Sequence, residues 1–175
     1  YRAVFLALGC QEGTKLGVAD EDSNMPGYES GIGFLLKVHD HVAGVHEIKL
    51  SGDVVVVGGG NVAMDCVRSA VRMGARTVHL VYRRSREDMP ADSEEIQAAE
   101  DEGIVLHFLT NPTRILSEDG HISGVELVHM RQTEPDAKGR RKVEPILGTE
   151  RTLACGTMIA AIGQPWLHSS PTRAL

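Results

Sequence analysis

Short apolar runs alternate with stretches of helical periodicity over much of the chain. The runs at residues 4–9, 54–57, 77–82, 104–109 and 158–162 are continuous and short, which predicts buried strands. Apolar residues recur at helical spacing over residues 31–42, from 61 to about 73, and from 93 to about 102, the last behind a capping Asp92. This alternation of strands and helices is typical of a parallel sheet covered by helices.

A different pattern occupies residues 112–154. Short alternating segments at 113–117, 121–131 and 149–154 are separated by Asp119-Gly120 and by the polar stretch 136–139, which are turn sequences. This alternation predicts a three-stranded antiparallel meander before the last parallel strand. Together the two patterns predict an α/β fold, a three-layer doubly wound parallel sheet with an antiparallel β-meander.

Composition and charge limit the kinds of partner that the chain is expected to bind. The 175 residues suffice for one domain, with 42% apolar residues and a formal net charge of −6. This charge argues against nucleic acid and an anionic membrane as partners, and no apolar run approaches the roughly 20 residues of a membrane span. A cytoplasmic location is the default expectation, because no secretory signal pattern is present. Cys10, Cys66 and Cys155 are far apart, and neither they nor the scattered histidines predict a metal site.

The strongest chemical signal follows the strand at 54–57. A G-x-G-x-x-A pattern stands between this strand and a helix, and a second strand follows one helix later. The first glycine permits a tight turn, the second lets a pyrophosphate approach the backbone, and the alanine lets helix and strand pack closely. The helix N-terminus adds free N–H groups and a positive dipole end. We therefore predict a dinucleotide site of the Rossmann type, with candidate residues Gly58, Gly59, Gly60, Asn61, Val62 and Ala63.

The residues after the strand at 77–82 indicate which dinucleotide binds. NAD and FAD sites usually place Asp or Glu there to bind the ribose hydroxyls of the adenosine. This chain has no acid at that position and carries Arg83, Arg84 and Arg86 instead. Guanidinium groups suit a phosphate, so the pattern favours NADP(H) over NAD(H) and argues against FAD at this site. Two alternatives stay open: the arginines form only a solvated loop, or the site takes NADH and tolerates them.

Four motifs in order resemble one family over nearly the whole chain. They occupy residues 58–65, 82–91, 134–141 and 161–164. These segments are similar to the NADPH-binding domain of the glutamate synthase small (beta) subunit family, which consists of FAD-dependent pyridine nucleotide oxidoreductases. Flavin subunits of NADPH/ferredoxin oxidoreductases and the flavin half of dihydropyrimidine dehydrogenase share the pattern.

The resemblance implies a domain that delivers hydride from NADPH to FAD. In the family, an FAD domain is interrupted by the NADPH domain, and iron–sulfur clusters carry electrons onward. Residues 1–50 would then form a connecting strand, loop and helix from the FAD side, residues 51–164 the NAD(P)H-binding domain, and residues 165–175 a return segment. The implied partners are the FAD domain and the iron–sulfur domain of the parent chain, with a catalytic large subunit as a further candidate.

The resemblance also assigns candidate residues to three parts of the nucleotide. The glycine loop would hold the pyrophosphate, the arginines would hold the 2′-phosphate, and the end of the last strand would lie near the nicotinamide. In that order, the residues are Gly58, Gly60 and Asn61; Arg83, Arg84 and Arg86; Gly163 and Gln164. We expect no catalytic side chain and no metal ligand in the chain. We also expect FAD only in the full-length protein, so the isolated chain should not turn over by itself.

A function without catalysis stays open as an alternative to the domain of a flavin enzyme. A nucleotide-sensing regulatory module without chemistry would carry the same glycine loop. The basic residues from Lys138 to Lys142 fit either a solvated hairpin tip or a docking patch. The final electron acceptor stays open as well, because glutamate synthesis, ferredoxin reduction and pyrimidine reduction all use this module.

Overall fold

A parallel sheet lies at the centre of the fold. The structure, a computed structural model, describes residues 13–135 and 141–163. Within these residues the sheet has five strands: β1 (Tyr28–Ser30), β2 (Val54–Val57), β3 (Val78–Val81), β4 (Val105–His107) and a last strand, β9 (Thr157–Ala160). Their order across the sheet is β1-β9-β2-β3-β4, and every neighbouring pair is parallel.

The two faces of this sheet bury two different cores. Val54 and Val56 pack on one side of β2, whereas Val55 and Val57 pack on the other side. Successive side chains of a strand point to opposite faces, so a strand covered on both faces needs an uninterrupted apolar run. The four consecutive valines meet that requirement, and none of them is more than 5% exposed.

Helices cover the first face, and local sequence determines where they begin and end. They are α1 (Gly31–Val42), α2 (Asn61–Arg72) and α3 (Ser93–Asp101). The carboxylate of Asp92 caps α3 by accepting from the backbone N–H of Glu94 at 2.8 Å, as predicted. Gly74 and Gly103 follow α2 and α3 with φ of +83° each, a backbone conformation that favours glycine at a helix stop.

An antiparallel sheet covers the second face. Its strands are β5 (Thr110–Glu118), β6 (His121–Pro135), β7 (Arg141–Pro145) and β8 (Arg151–Ala154). The long strand β6 pairs with all three others, so the described sheet has four strands, and the predicted three-stranded meander was wrong in this respect. Ile115, Val125 and Leu127 pack from this sheet against Val55 and Val57. The predicted fold class is confirmed, with layers of helix, parallel sheet and antiparallel sheet.

The periodicity missed two strands for local reasons. β1 contains only Tyr28, Glu29 and Ser30, which form no apolar run, and it is a strand because it pairs in parallel with β9. β7 begins at Arg141, inside the predicted basic turn, and most of its side chains are exposed. Such a strand lacks the alternation of buried and exposed positions on which sequence analysis depends.

Several predictions fall outside the described residues. The predicted strand at 4–9, Cys10, the polar stretch 136–139 and Gln164 all lie there. Over the ranges that are described, no helix is long and apolar enough to cross a bilayer. The same ranges contain no cluster of three or more histidine, cysteine or acidic side chains placed to bind a metal ion.

Candidate nucleotide-binding cleft

The carboxyl ends of three neighbouring strands meet at one cleft. β9, β2 and β3 are adjacent and parallel, so the segments that follow them gather at the same edge of the sheet. The cleft there has a volume of about 800 Å³. Its lining comprises residues 57–62, 81–84 and 161–163 from these strand ends, together with Leu16, Pro90, Asn111 and Pro112. No Asp or Glu is among these described lining residues.

Gly58 turns the chain off β2 beneath the last strand. Its φ is +156°, and a Cβ placed on it would lie 2.3 Å from the carbonyl oxygen of Ala161 and 3.1 Å from the Cβ of Ala63. The backbone N–H of Gly58 donates to the carbonyl of Val81 at 3.1 Å. A side chain at Gly58 would therefore collide with the backbone that follows β9 and with Ala63 on α2. The sequence analysis predicted a tight turn for Gly58 and close packing of helix and strand for Ala63.

Gly60 opens the loop toward the cleft. It is the N-cap of α2, has an extended backbone, and a Cβ placed on it would have no neighbour within 4 Å. The caps of α1 and α3 satisfy backbone N–H groups through the side chains of Ser30 and Asp92, whereas α2 has no side-chain cap. Free N–H groups at an uncapped helix N-terminus are donors for an anion. The amides of Asn61 and Val62 begin this helix at the cleft.

Arg83 and Arg84 line the same cleft. Among the described residues neither guanidinium takes part in a salt bridge, and Arg83 is exposed while Arg84 is partly buried. The backbone around them is fixed, because the carbonyl of Arg84 accepts from Leu109 at 2.9 Å and that of Tyr82 accepts from Thr110 at 3.1 Å. Both guanidinium groups therefore stand at the cleft without a salt bridge to a described carboxylate, although the charge of Arg84 acts on Asp88.

Arg86 is placed differently from the other two arginines. Both of its terminal nitrogens donate to the two carboxylate oxygens of Glu100 on α3. This contact raises the pKa of Arg86 and lowers the pKa of Glu100, chiefly through the hydrogen bonds between them. Arg86 is not among the residues that line the cleft. The structure thus separates it from Arg83 and Arg84, with which the sequence grouped it.

Tyr82 is a residue of the cleft that the sequence analysis missed. Its ring lies over Gly59, and its hydroxyl donates to the backbone carbonyl of Asp88 at 2.8 Å. The carbonyl of Gly59 accepts in turn from the backbone N–H of Ala91 at 3.1 Å. Burial raises the pKa of the Tyr82 phenol, with a smaller contribution from the carboxylate of Asp88. We name residues 82–91 the arginine turn; it folds against the glycine loop through Gly59.

The rest of the cleft comes from the start of β5, from Leu16 and from the segment after the last strand. Asn111 and Pro112 stand near the start of β5, and the side-chain amide of Asn111 donates to the carbonyl of Pro112 at 2.9 Å. Leu16 approaches from the segment before β1. Gly163 lies three residues after the last strand with φ of +106°, and its carbonyl accepts from the backbone N–H of Thr14 at 3.4 Å. Only proximity in the fold identifies Leu16, Asn111 and Pro112 as cleft residues, whereas Gly163 belongs to the motif at 161–164.

The candidate residues divide into three groups. Those that line the cleft are Gly58, Gly59, Gly60, Asn61, Val62, Arg83, Arg84 and Gly163. Ala63 is fully buried beneath the loop, and Arg86 is bound to Glu100. Gln164 lies outside the described residues.

A smaller hollow at the other edge of the sheet differs in chemistry. Its volume is about 410 Å³, and it lies beside Ser51 and Thr157, at the amino ends of β2 and β9. Side chains of both charges line it, among them Lys37 and Asp40. Its described lining contains neither the glycine loop nor a helix N-terminus, so the larger cleft is the candidate site for a nucleotide.

The sequence matches the family described as pyridine nucleotide-disulphide oxidoreductase over residues 1–166. The chain belongs to this family. The parallel sheet, the glycine loop and the covering helices described above are therefore those of a pyridine nucleotide-disulphide oxidoreductase domain.

Curated relatives of this domain carry several names. It is 49% identical over 166 residues to the NADP(+)-dependent formate dehydrogenase subunit beta of Moorella thermoacetica, which covers 94% of this chain and 23% of that protein. It is 45% identical to the NADPH-Fe(3+) oxidoreductase subunit beta of Geobacter sulfurreducens, with 94% and 24% covered. It is 37% identical to the glutamate synthase [NADPH] small chain of Escherichia coli, with 93% and 36% covered. The chain thus spans about a quarter to a third of these relatives.

Solved structures of low sequence identity share the fold of this domain. FprA of Mycobacterium tuberculosis in complex with NADPH aligns with a TM-score of 0.71 at 19% identity, covering 90% of this chain and 49% of that chain. Thioredoxin reductase of T. acidophilum aligns with a TM-score of 0.62 at 15% identity, covering 87% and 41%. Both agree with the predicted α/β class.

Proposed function

We propose that this chain is an NADPH-binding domain that presents the nicotinamide to an FAD held elsewhere in the protein. The observation that carries the proposal is one cleft in which an uncapped helix N-terminus follows one strand, and two arginines without a salt bridge to any described residue follow the neighbouring strand. Gly60 and Asn61 follow β2, whereas Arg83 and Arg84 follow β3. Neighbouring strands are about 4.8 Å apart, so a pyrophosphate at the first position brings an adenosine ribose toward the second.

The arginines account for the choice of NADPH over NADH. A 2′-phosphate is the feature that distinguishes the two cofactors, and it needs cationic donors that are not already neutralised. Arg83 and Arg84 meet this requirement, because neither forms a salt bridge with a described residue and the described lining of the cleft contains no carboxylate. The names of the three relatives above all include NADP(+) or NADPH, which supports the same cofactor here.

The redox role rests on the family and on the relatives. The relatives are named for different electron partners: formate, ferric iron and glutamate synthesis. A shared domain is best explained by the step they have in common, the transfer of a hydride from NADPH. We therefore assign the acceptor to FAD, whose chemistry converts a hydride into single electrons.

Titration of NADPH and NADH by calorimetry tests the cofactor assignment. We expect tighter binding of NADPH, and we expect Arg83→Ala or Arg84→Ala to weaken it about ten- to a hundredfold, since a charged hydrogen bond contributes roughly 1.5–3 kcal/mol. NADH binding should change little. Arg72→Ala is the matched control, because Arg72 is exposed at the other end of α2 and bonds Glu102. A preference of the wild type for NADH would refute the assignment.

Flavin reduction tests the redox role. In the protein isolated with its native flavin, addition of NADPH should bleach the flavin absorbance. Gly60→Val should abolish the bleaching while the flavin stays bound, because the added side chain would enter the cleft where the pyrophosphate is proposed to lie. Tight NADPH binding without any flavin reduction would favour the nucleotide-sensing function instead.

A further inference from the structure

The arginine turn is anchored to a distant part of the antiparallel sheet. Gln132, on the half of β6 that pairs with β7, donates its side-chain N–H to the carboxylate oxygen Oδ2 of Asp88. The two residues are 44 positions apart in the chain. The same oxygen of Asp88 accepts from the hydroxyl of Ser85 at 2.9 Å. A side chain outside the cleft therefore holds the turn that carries the two arginines.

Asp88 joins the two ends of the segment that contains Arg83 and Arg84. Its backbone carbonyl accepts from the hydroxyl of Tyr82, and its carboxylate accepts from Ser85. Arg83 and Arg84 lie between these two partners in the chain. Fixing Asp88 consequently fixes Tyr82 and Ser85, the two neighbours of the arginine pair, and among the described residues the hydrogen bond from Gln132 joins the Asp88 carboxylate to the antiparallel sheet.

The charges around Asp88 are consistent with its role in holding the segment that contains Arg83 and Arg84. Its pKa is lowered first by the hydrogen bond from Gln132, then by that from Ser85, with further contributions from the positive charges of Arg141 and Arg84. A carboxylate that stays ionised is a strong acceptor for both donors. Arg141 lies on the same face of β7 as Val143, the residue paired with Gln132, so that face of the hairpin is turned toward Asp88.

We infer that Gln132 is a positioning residue for cofactor specificity: by holding Asp88, it keeps Arg83 and Arg84 in place to bind the 2′-phosphate. This inference rests on the proposed function of the cleft. Donors that are held in place before binding lose less conformational freedom when the ligand arrives. NADH has no 2′-phosphate, so the loss of this anchor should act on NADPH alone.

Replacement of Gln132 by a side chain of similar length without a donor tests the inference. In Gln132→Met we expect NADPH to bind about tenfold more weakly, the effect of losing one hydrogen bond to a charged group, and NADH to bind as in the wild type. Thr133→Val is the matched control. Among the described residues, the hydroxyl of Thr133 bonds the backbone carbonyls of Glu134 and Lys142 within the hairpin, so its loss should leave the ratio of the two affinities unchanged.

A reversed pair supplies a rescue. Gln132→Glu alone places a carboxylate beside Asp88 and should weaken NADPH binding at least as much as Gln132→Met. Adding Asp88→Asn restores a bond of opposite polarity, in which the amide donates to the new carboxylate, at unchanged net charge. We expect the double variant to recover most of the NADPH preference. A general loss of structure in the single variants would lower both affinities together and would not be rescued in this selective way.

The outcomes separate the two proposals. A wild-type protein that does not prefer NADPH would overturn the proposed cofactor and this inference with it. A wild-type preference that persists in Gln132→Met, or an equal loss of NADPH and NADH in that variant, would overturn the role of Gln132 alone. A selective loss with rescue by the reversed pair would establish it.

Discussion

The ring of Tyr82 lies so close to Gly59 that a methyl group added to Gly59 would sit 2.3 Å from the ring carbon Cε2. This contact explains the middle glycine of the loop without reference to a ligand. Gly58 and Gly59 are required by their neighbours in the folded chain, whereas Gly60 has open space in front of it. The three glycines therefore serve different purposes, and substitutions can distinguish them.

Gly59→Ala should destabilise the fold. The new methyl group must displace the Tyr82 ring, and overpacking of this kind costs about 1–3 kcal/mol in the free energy of unfolding. Denaturant unfolding measures the change, and Tyr82→Leu should relieve part of it in the double variant. Gly60→Ala is the control and should lose far less stability. Equal losses in the two single variants would contradict the assigned contact.

Gly60→Val should remove nucleotide binding while it preserves the fold. The residue has an extended backbone, and a Cβ placed on it would have no neighbour within 4 Å, so we expect stability to change by less than about 1 kcal/mol. The side chain would occupy the approach to the N-terminus of α2. Calorimetry should show that the binding of NADPH and of NADH is lost, whereas substitution of Arg83 or Arg84 should weaken NADPH binding alone. Retention of both cofactors would show that the pyrophosphate does not lie there.

Arg86→Ala should leave NADPH affinity within about twofold of the wild type. Both terminal nitrogens of Arg86 are already bonded to Glu100, and a partly exposed ion pair contributes only about 0–1 kcal/mol to stability. Comparison with Arg84→Ala by the same titration distinguishes the two arginines. A tenfold weakening in Arg86→Ala would show that Arg86 leaves Glu100 for the 2′-phosphate when the cofactor binds.

Acid should destabilise the protein by protonating two neighbouring histidines of the parallel sheet, His79 on β3 and His107 on β4. Nδ1 of His79 lies 3.1 Å from Nε2 of His107, and Arg151 lies 3.1 Å from Nδ1 of His107. Burial, and then the charge of Arg151, lower the pKa of His107 from 6.5 to about 4; burial also lowers the pKa of His79. The unfolded chain therefore binds these protons at a higher pH than the folded chain, and stability should fall as the pH drops from about 6.5 to about 4.

The melting temperature as a function of pH measures this effect. His107→Gln removes one of the two titrating groups and keeps an amide that can bond His79, so the loss of stability between pH 6.5 and pH 4 should be smaller than in the wild type. His121→Gln, on an exposed histidine of β6, is the control. An unchanged pH profile in His107→Gln would show that the pair does not control acid stability.

Features that depend on neighbouring residues were predictable from the sequence. The unit from β2 through the glycine loop to α2 lies where the valine run, the G-x-G-x-x-A pattern and Gly74 indicate. Asp92 caps α3 as its pattern predicts. The lack of an acid after β3 was also visible, and the described lining of the cleft contains none. Turn conformation, capping and strand burial are short-range effects, so the residues that cause them stand close together in the chain.

Only the tertiary structure decided the contacts between segments far apart in the chain. β1 is a strand because it pairs with β9, and β7 is a strand because it pairs with the C-terminal half of β6. The pairing of Arg86 with Glu100, the ring of Tyr82 on Gly59 and the bond from Gln132 to Asp88 leave no periodic signal, since each joins single side chains across a fold that must already exist. The sequence alone therefore determined which segment binds a dinucleotide in our proposal, and the fold determined which residues hold that segment in place.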